Sequence, residues 1–412
     1  MTYMRLLSIP AVAILLGAAQ ASAQGSAEDA YTRVELLAPE TGRFRFVLDL
    51  AATPGRTQFV MSVPAGAEVT ALSAIDRATG AALDVKQSAG GSISAVLSRP
   101  VPATGETRIR LLATYRDARA YSRQGDSIVF TRTDLGPRGA IVLPAGYELV
   151  AANVPVQVLE EPDGRIAASF MLQPPGPMDP SPGDPHVFVR ARSVTTRPAT
   201  PPSAATAPGP TPPAADAPPR EQPMNQIRVT ERAIQDREIV YFLKEPETHA
   251  FALYHDYTAA REGERQYVNV VRAGSAVSEP SAKILDTGES LQTRTLTGAD
   301  IAREKIDIPD RVDADTHVVL IPFPPVKAGT SVRLRISETY TDPARYALID
   351  GQLMWHRSFG RPRNDMVLPA GWYLTTSSLP AVVSQEPDGR IRLSFWNPRP
   401  DSLDVLVRAR RR

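Results

Sequence analysis

Leu143-Pro144-Ala145-Gly146-Tyr147 returns as Leu368-Pro369-Ala370-Gly371-Trp372, an offset of 225 residues (143 to 368). Glu161-Pro162-Asp163-Gly164-Arg165-Ile166 returns at the same offset as Glu386-Pro387-Asp388-Gly389-Arg390-Ile391. Tyr115 with Tyr340, Tyr121 with Tyr346, Phe130 with Trp355 and Arg132 with Arg357 keep it. Nearer the amino terminus, Pro39-Glu40-Thr41 matches Pro246-Glu247-Thr248 at 207 (39 to 246). Near the carboxyl terminus, Val189-Arg190-Ala191-Arg192 matches Val407-Arg408-Ala409-Arg410 at 218 (189 to 407). Colinear matches with small offset changes mean one unit written twice.

The offset changes locate insertions. The second copy gains 18 residues (207 to 225), placed around Thr297 to Lys305. There Thr297 and Asp300 form a capping box, predicting a short helix. The first copy carries seven extra residues (218 to 225), assigned to the Pro- and Gly-rich stretch Pro174 to Pro185.

Period-two alternation dominates both copies. Phe44, Phe46, Leu48 and Leu50 share one strand face, with Arg43, Arg45 and Asp49 opposite. Ile109, Leu111, Ala113 and Tyr115 repeat it, and Val332, Leu334 and Ile336 alternate with Arg333 and Arg335. Such alternation marks antiparallel sheets with one wet face. Pro-Asp-Gly between two such runs predicts a hairpin, since proline presets the turn and glycine accepts positive φ. The expected fold is all-β: two tandem antiparallel β-sandwich domains, with a short helix inserted in the second.

Four segments follow. Residues 1–23 read as a secretory signal peptide: Arg5, an apolar stretch from Leu6 to Ala19, and Ala21-Ser22-Ala23 before the cleavage point. Residues 24–193 form β-sandwich domain 1, and 224–412 repeat it as domain 2. Between them, 194–223 is a linker; ten prolines fall within 198–223, which lacks the apolar residues to build a core. Arg408 to Arg412 closes the last strand, and no sorting tail is expected after it. The protein is expected to be exported, periplasmic or extracellular, with no membrane span in the mature chain.

Composition narrows the chemistry. There is no cysteine, so disulfides and thiolate metal sites are excluded. The net charge is +1, so global steering to nucleic acid is not expected. No HExxH helix, nucleophile elbow, Walker loop or calcium-loop pattern is present. His249 and His255, six apart, would share a strand face, with no evident third ligand. Asp310, Asp313 and Asp315 form an acidic run that reads as a solvated turn or a loose calcium site. No catalytic residue, metal site or cofactor is expected.

The strongest binding candidates are arginines. Arg132-Thr-Asp-Leu-Gly-Pro-Arg138 and Arg357-Ser-Phe-Gly-Arg361-Pro-Arg363 follow aromatic-bearing strands in the two copies. They read as long loops whose guanidinium groups hold carboxylate or phosphate by paired hydrogen bonds. Trp355 and His356 beside them would add stacking. The competing reading ties Arg132 or Arg357 structurally to a neighbouring carboxylate. Tyr147 and Trp372 open strands and are expected to pack over the sandwich ends.

The succession Leu-Pro-x-Gly-Tyr/Trp, a Pro-Asp-Gly hairpin, then Arg-Ile-x-x-Ser-Phe (Arg165 to Phe170, Arg390 to Phe395) resembles the β-sandwich preceding the catalytic domain of M1-type aminopeptidases. The resemblance covers the second half of each copy and rests on turn and core residues. In that family zinc and the catalytic glutamate belong to the next domain, so the resemblance implies a non-catalytic module used twice. The function expected is an interaction or scaffold protein for an envelope protein or glycan. Alternatives are a carbohydrate-binding or hydrolase-associated module with Trp355, Trp372 and Trp396 as platforms, or an accessory subunit of a separately encoded peptidase.

Overall fold

The structure, a computed structural model, describes residues 30–52, 55–64, 66–88, 91–101, 107–133, 135–172, 186–194, 238–308, 312–399 and 401–412. The expected signal peptide, linker and Pro174 to Pro185 insertion lie outside the described residues.

The chain is all-β with one short α-helix among the described residues. Residues 30–194 build a ten-stranded sheet ordered Val156–Glu160, Ile166–Met171, Arg138–Val142, Tyr31–Leu36, Arg43–Ala52, Thr107–Arg116, Glu68–Asp76, Ala82–Gln87, Ser92–Val96, Gln58–Ser62. A four-stranded sheet, Tyr147–Ala152, Val187–Ser193, Ser127–Arg132, Tyr121–Gln124, accompanies it. Residues 238–412 repeat this order. Their eight-stranded sheet runs Val382–Gln385, Ile391–Trp396, Arg363–Val367, Glu238–Leu243, Ala250–Ala259, Val332–Thr341, Ala276–Ile284, Ser290–Leu291. Their four-stranded sheet runs Trp372–Ser377, Leu403–Arg411, Gln352–Phe359, Tyr346–Ile349.

Pairing is antiparallel except at one matching place in each half. Tyr31–Leu36 pairs in parallel with Arg138–Val142, and Glu238–Leu243 with Arg363–Val367. A parallel pair needs a long connection, here most of the half itself.

Small features repeat as well. Pro39–Thr41 and Pro246–Thr248 are both 3-10 turns. Tyr121 Oη donates to Leu37 O at 2.8 Å, and Tyr346 Oη donates to Lys244 O. Gly164 and Gly389 take φ of +80° and +85° in their Pro-Asp-Gly hairpins, a region an L side chain resists.

The helix sits where the offset change placed it, at Gly298–Glu304. Asp300 accepts from Thr297 N at 3.5 Å and from its Oγ1 at 3.2 Å. Ile301 packs with Leu296, Val318 and Leu320. Here the second half departs from the first. Ala82–Gln87 is one strand, pairing with Glu68–Asp76 on one side and Ser92–Val96 on the other. Its counterpart is broken into Ser290–Leu291 and Arg294–Thr297, so Gln266–Val270, His317–Pro322 and Arg294–Thr297 form a separate three-stranded sheet.

The two halves touch. Tyr147–Ala152 lies against Val382–Gln385, and Val156–Glu160 lies against Trp372–Ser377. Under the 225 offset these two contacts exchange, so the junction is isologous, like that of a two-fold dimer. At its centre Val156 N donates to Ala381 O at 2.9 Å and Ala381 N to Val156 O at 3.1 Å. Those two residues are themselves counterparts (156 to 381). Glu148, fully buried, receives Arg192 at 2.8 Å from its own half and Arg412 at 2.7 Å from the other. Arg410 pairs with Glu160, and one apolar cluster runs through both halves.

Candidate functional site

A cavity of about 660 Å³ opens in the second half, within the range that holds small ligands. Leu253, His255, Glu338 and Tyr340 reach it from adjacent strands of the large sheet. Asn269 comes from the three-stranded sheet and Arg272 from the turn after it. Arg357 and Arg361 come from the strand Gln352–Phe359 and the connection behind it.

Glu338 is 3% exposed. Asn269 Nδ2 donates to its Oε1 at 3.0 Å and Oε2 at 2.8 Å, and to Tyr340 Oη at 3.0 Å. Burial pushes the Glu338 carboxyl above the ordinary carboxylate range, against the opposing pull of those hydrogen bonds and of Arg361. His255 is 1% exposed. Arg361 Nη2 donates to its Nδ1 at 3.0 Å. A guanidinium can only donate, so His255 is neutral at Nδ1 and carries its proton on Nε2.

Three guanidinium groups surround this pair. Arg357 lies over the rings of Phe251, Tyr241 and Tyr340 at 5.2, 5.7 and 5.8 Å, and 3.4 Å from Asp342. Asp342 is already engaged by Ser275 Oγ at 2.9 Å and by Arg345 at 3.6 Å. Arg361 Nη1 is buried and has no hydrogen-bond partner among the described residues. Arg272 is half-buried and makes no hydrogen bond or ion pair among the described residues. Burial, then the like charges of Arg357 and Arg345, hold its pKa below the usual guanidinium value. Asp313 and Asp315 stand exposed at the rim. Asp313 is occupied by Thr316 Oγ1 at 2.8 Å and Asp315 N at 3.1 Å, the geometry of a turn. Asp310 lies outside the described residues.

Among the described residues the first half has no such constellation. Strand registers fix the counterparts: Phe46 faces Ala113 where Leu253 faces Glu338, and Leu48 faces Leu111 where His255 faces Ile336. Met61 faces Ile93 where Asn269 faces Val319. Ala67 N donates to Pro64 O, as Ser275 N donates to Arg272 O. Leu48, Met61, Pro64 and Ala113 therefore stand where His255, Asn269, Arg272 and Glu338 stand. The same backbone folds with apolar residues at all four places.

The residues expected from sequence scatter. Arg132 is buried over Phe46, Tyr115 and Phe44 at 4.9, 5.4 and 5.5 Å, the match of Arg357. Arg138 and Arg363 open strands rather than sit in loops. Arg363 faces Glu238 at 3.8 Å, away from the cavity lining. The connection expected to be long is only residues 360–362, because Arg357 ends up within its strand. Trp355 is fully buried against Tyr241 and Phe251 and stacks nothing from solvent; His356, next along the strand, points outward. The structure thus brings Arg357 and Arg361 together and separates the other five.

His249 and His255 do not share a face. His249 takes φ +55° as the cap of a 3-10 turn, with Nδ1 2.9 Å from Tyr346 O, before the strand begins. Trp372 is also in the core, which leaves Trp396, 64% exposed, as the remaining tryptophan able to stack on a sugar. Glu161 and Glu386 are tied to Arg33 and Arg392 at 2.5 Å each.

Sequence reading missed Asn269, Arg272 and Glu338, and took His255 only as half of a pair with His249. Their signal is the alignment of the copies: each polar residue falls on an inward phase or turn position that the first copy fills with an apolar one.

No protein-family model matches the chain, and no curated protein matches it. Among solved structures it is similar to an aminopeptidase N family protein from Idiomarina loihiensis, with 12% identity and a TM-score of 0.26 over 39% of this chain and 29% of that one. It is likewise similar to an M1 zinc metallopeptidase from Deinococcus radiodurans, with 14% identity and a TM-score of 0.27 over 40% of this chain and 41% of that one. The chain spans less than half the length of these proteins. At this level the likeness is one of β architecture, and no residue role is taken from it.

Proposed function

We propose that the chain is a non-catalytic exported binding protein of two sandwich modules, residues 24–193 and 224–412, in which the second holds a small-molecule ligand. The observation that carries this reading is the asymmetry between the copies. Burying a histidine, a glutamate and an asparagine destabilises a core that apolar residues would fill without penalty. The first copy folds with those apolar residues, so folding alone does not require the polar ones. The first module then acts as a structural partner, fixed through the isologous junction. The protein then carries one site on a fixed pair of modules.

Carrying the first copy's residues into the second tests it. The triple variant His255→Leu, Asn269→Met, Glu338→Ala is expected to keep or raise the thermal midpoint, since apolar replacements of a whole buried polar group are neutral or stabilising. It is also expected to lose ligand recovered from envelope extract by native mass spectrometry. A midpoint lowered by about 6 °C or more would make these residues structural. Undiminished ligand recovery would move the site elsewhere.

A further inference from the structure

Resting on that reading, we infer that the cavity's ligand is a small oxyanion, a carboxylate or phosphate, bound between Arg272 and Arg361 with its apolar body toward Leu253 and Ile239. Three observations converge. Arg272 and Arg361 face the same cavity, and neither contacts a carboxylate among the described residues. Other inward arginines differ: Arg192 and Arg412 share Glu148, Arg357 has Asp342, and Arg132 is enclosed by aromatic rings. Two half-buried guanidinium groups that face one cavity with no carboxylate in contact are suited to hold an oxyanion by paired hydrogen bonds.

The neutral partners point the same way. His255 gives Nδ1 to Arg361, which fixes the guanidinium without cancelling its charge. Asn269 spends its amide protons on Glu338 and Tyr340, so the one acidic side chain inside is held back from the arginines. Asp313 and Asp315 stand exposed at the rim, and the Asp313 carboxylate is engaged in its own turn. The first copy lacks the anion site on the same account. Pro64 stands for Arg272, and Arg132, the counterpart of Arg357, is enclosed by aromatic rings.

A charged guanidinium–oxyanion contact is planar, paired and directional. Two of them in one pocket select for the charged head, and the apolar part of its wall selects for the tail. Ile239, Leu253, Val270 and Val271 supply that wall.

Isothermal titration and thermal midpoints of the full chain would test this, using benzoate, succinate, inorganic phosphate and neutral N-acetylglucosamine at matched ionic strength. The expected result is saturable binding of at least one oxyanion, raising the midpoint by about 2 °C or more. Arg272→Gln and Arg361→Gln should each weaken it about tenfold or more, and Arg333→Gln, on the outer face, should not. Circular dichroism and the ligand-free midpoint report folding of each variant, and Arg272→Lys should retain part of the affinity. The carboxylate and phosphate arms identify the head group. Binding of N-acetylglucosamine alone, or oxyanion binding unchanged in both glutamine variants, would overturn the anion site and leave the cavity reading standing. Absence of binding by all three oxyanions would overturn it too.

Discussion

At the scale of single residues, Glu338 is the most informative position. Its carboxyl is buried and its pKa is raised, so the folded protein holds that proton to higher pH than the unfolded chain does. Between the ordinary value of 4.5 and the folded one, the native state binds more protons. Stability therefore falls as pH rises through that window. Glu338→Gln keeps the shape and removes the ionisation. The variant and the wild type should melt alike near about pH 4, and the variant should gain as the pH is raised toward about 8. A midpoint difference that stays constant with pH would show that Glu338 ionises normally. The residue was half-legible beforehand. Val332, Leu334 and Ile336 set an inward phase that continues through Glu338 to Tyr340. The phase places the carboxyl inside, but it does not say that Asn269, from a strand of another sheet, meets it there.

At the scale of elements, the hairpins and the inserted helix were legible because their causes are local. A Pro-Asp-Gly turn needs no distant partner: Asp388 accepts from Arg390 N at 3.1 Å and Nε at 2.7 Å, and Gly389 supplies positive φ. Asp163 does the same for Arg165. Gly164→Ala and Gly389→Ala should each destabilise by about 1–2 kcal/mol in chemical denaturation. A Cβ at Gly389 would meet only Gln385 Nε2 at 3.7 Å, so backbone strain rather than collision sets the loss. The helix at Gly298–Glu304 followed from a capping pair within three residues. The arginine connection was misjudged for the opposite reason. Its length depends on how far Gln352–Phe359 pairs with Leu403–Arg411, and that pairing runs through Phe359 facing Leu403. Sequence-distant ladders of this kind leave no local mark.

At the scale of the whole molecule, the junction sets how the two halves meet. Val156 and Ala381 exchange two backbone hydrogen bonds, the closely hydrogen-bonded arrangement of an antiparallel pair. Such a pair stands about 5.5 Å apart at Cα, a separation a disulfide spans. The chain has no cysteine, so Val156→Cys with Ala381→Cys gives a clean readout. Air oxidation should close the bond within one chain, visible as faster migration on a non-reducing gel. Free thiols after oxidation would mean that the halves do not meet along these strands. Two halves so joined present one arrangement to solvent, with the cavity of about 660 Å³ in the second. No helix among the described residues is long and apolar enough to cross a membrane.

The sequence by itself determined the repeat, the strand-rich architecture, the hairpins and the position of the inserted helix. Each follows from the order of side chains along a short stretch, or from comparing one stretch with its counterpart. Only the tertiary structure decided that Arg272, Arg361, His255, Asn269 and Glu338 share a cavity, and that Trp355 does not serve one. Those residues come from three strands and two connections, and burial depends on what other strands lay over them. It also decided that the two copies face each other across Val156 and Ala381, since an isologous contact is a property of surfaces and not of any segment.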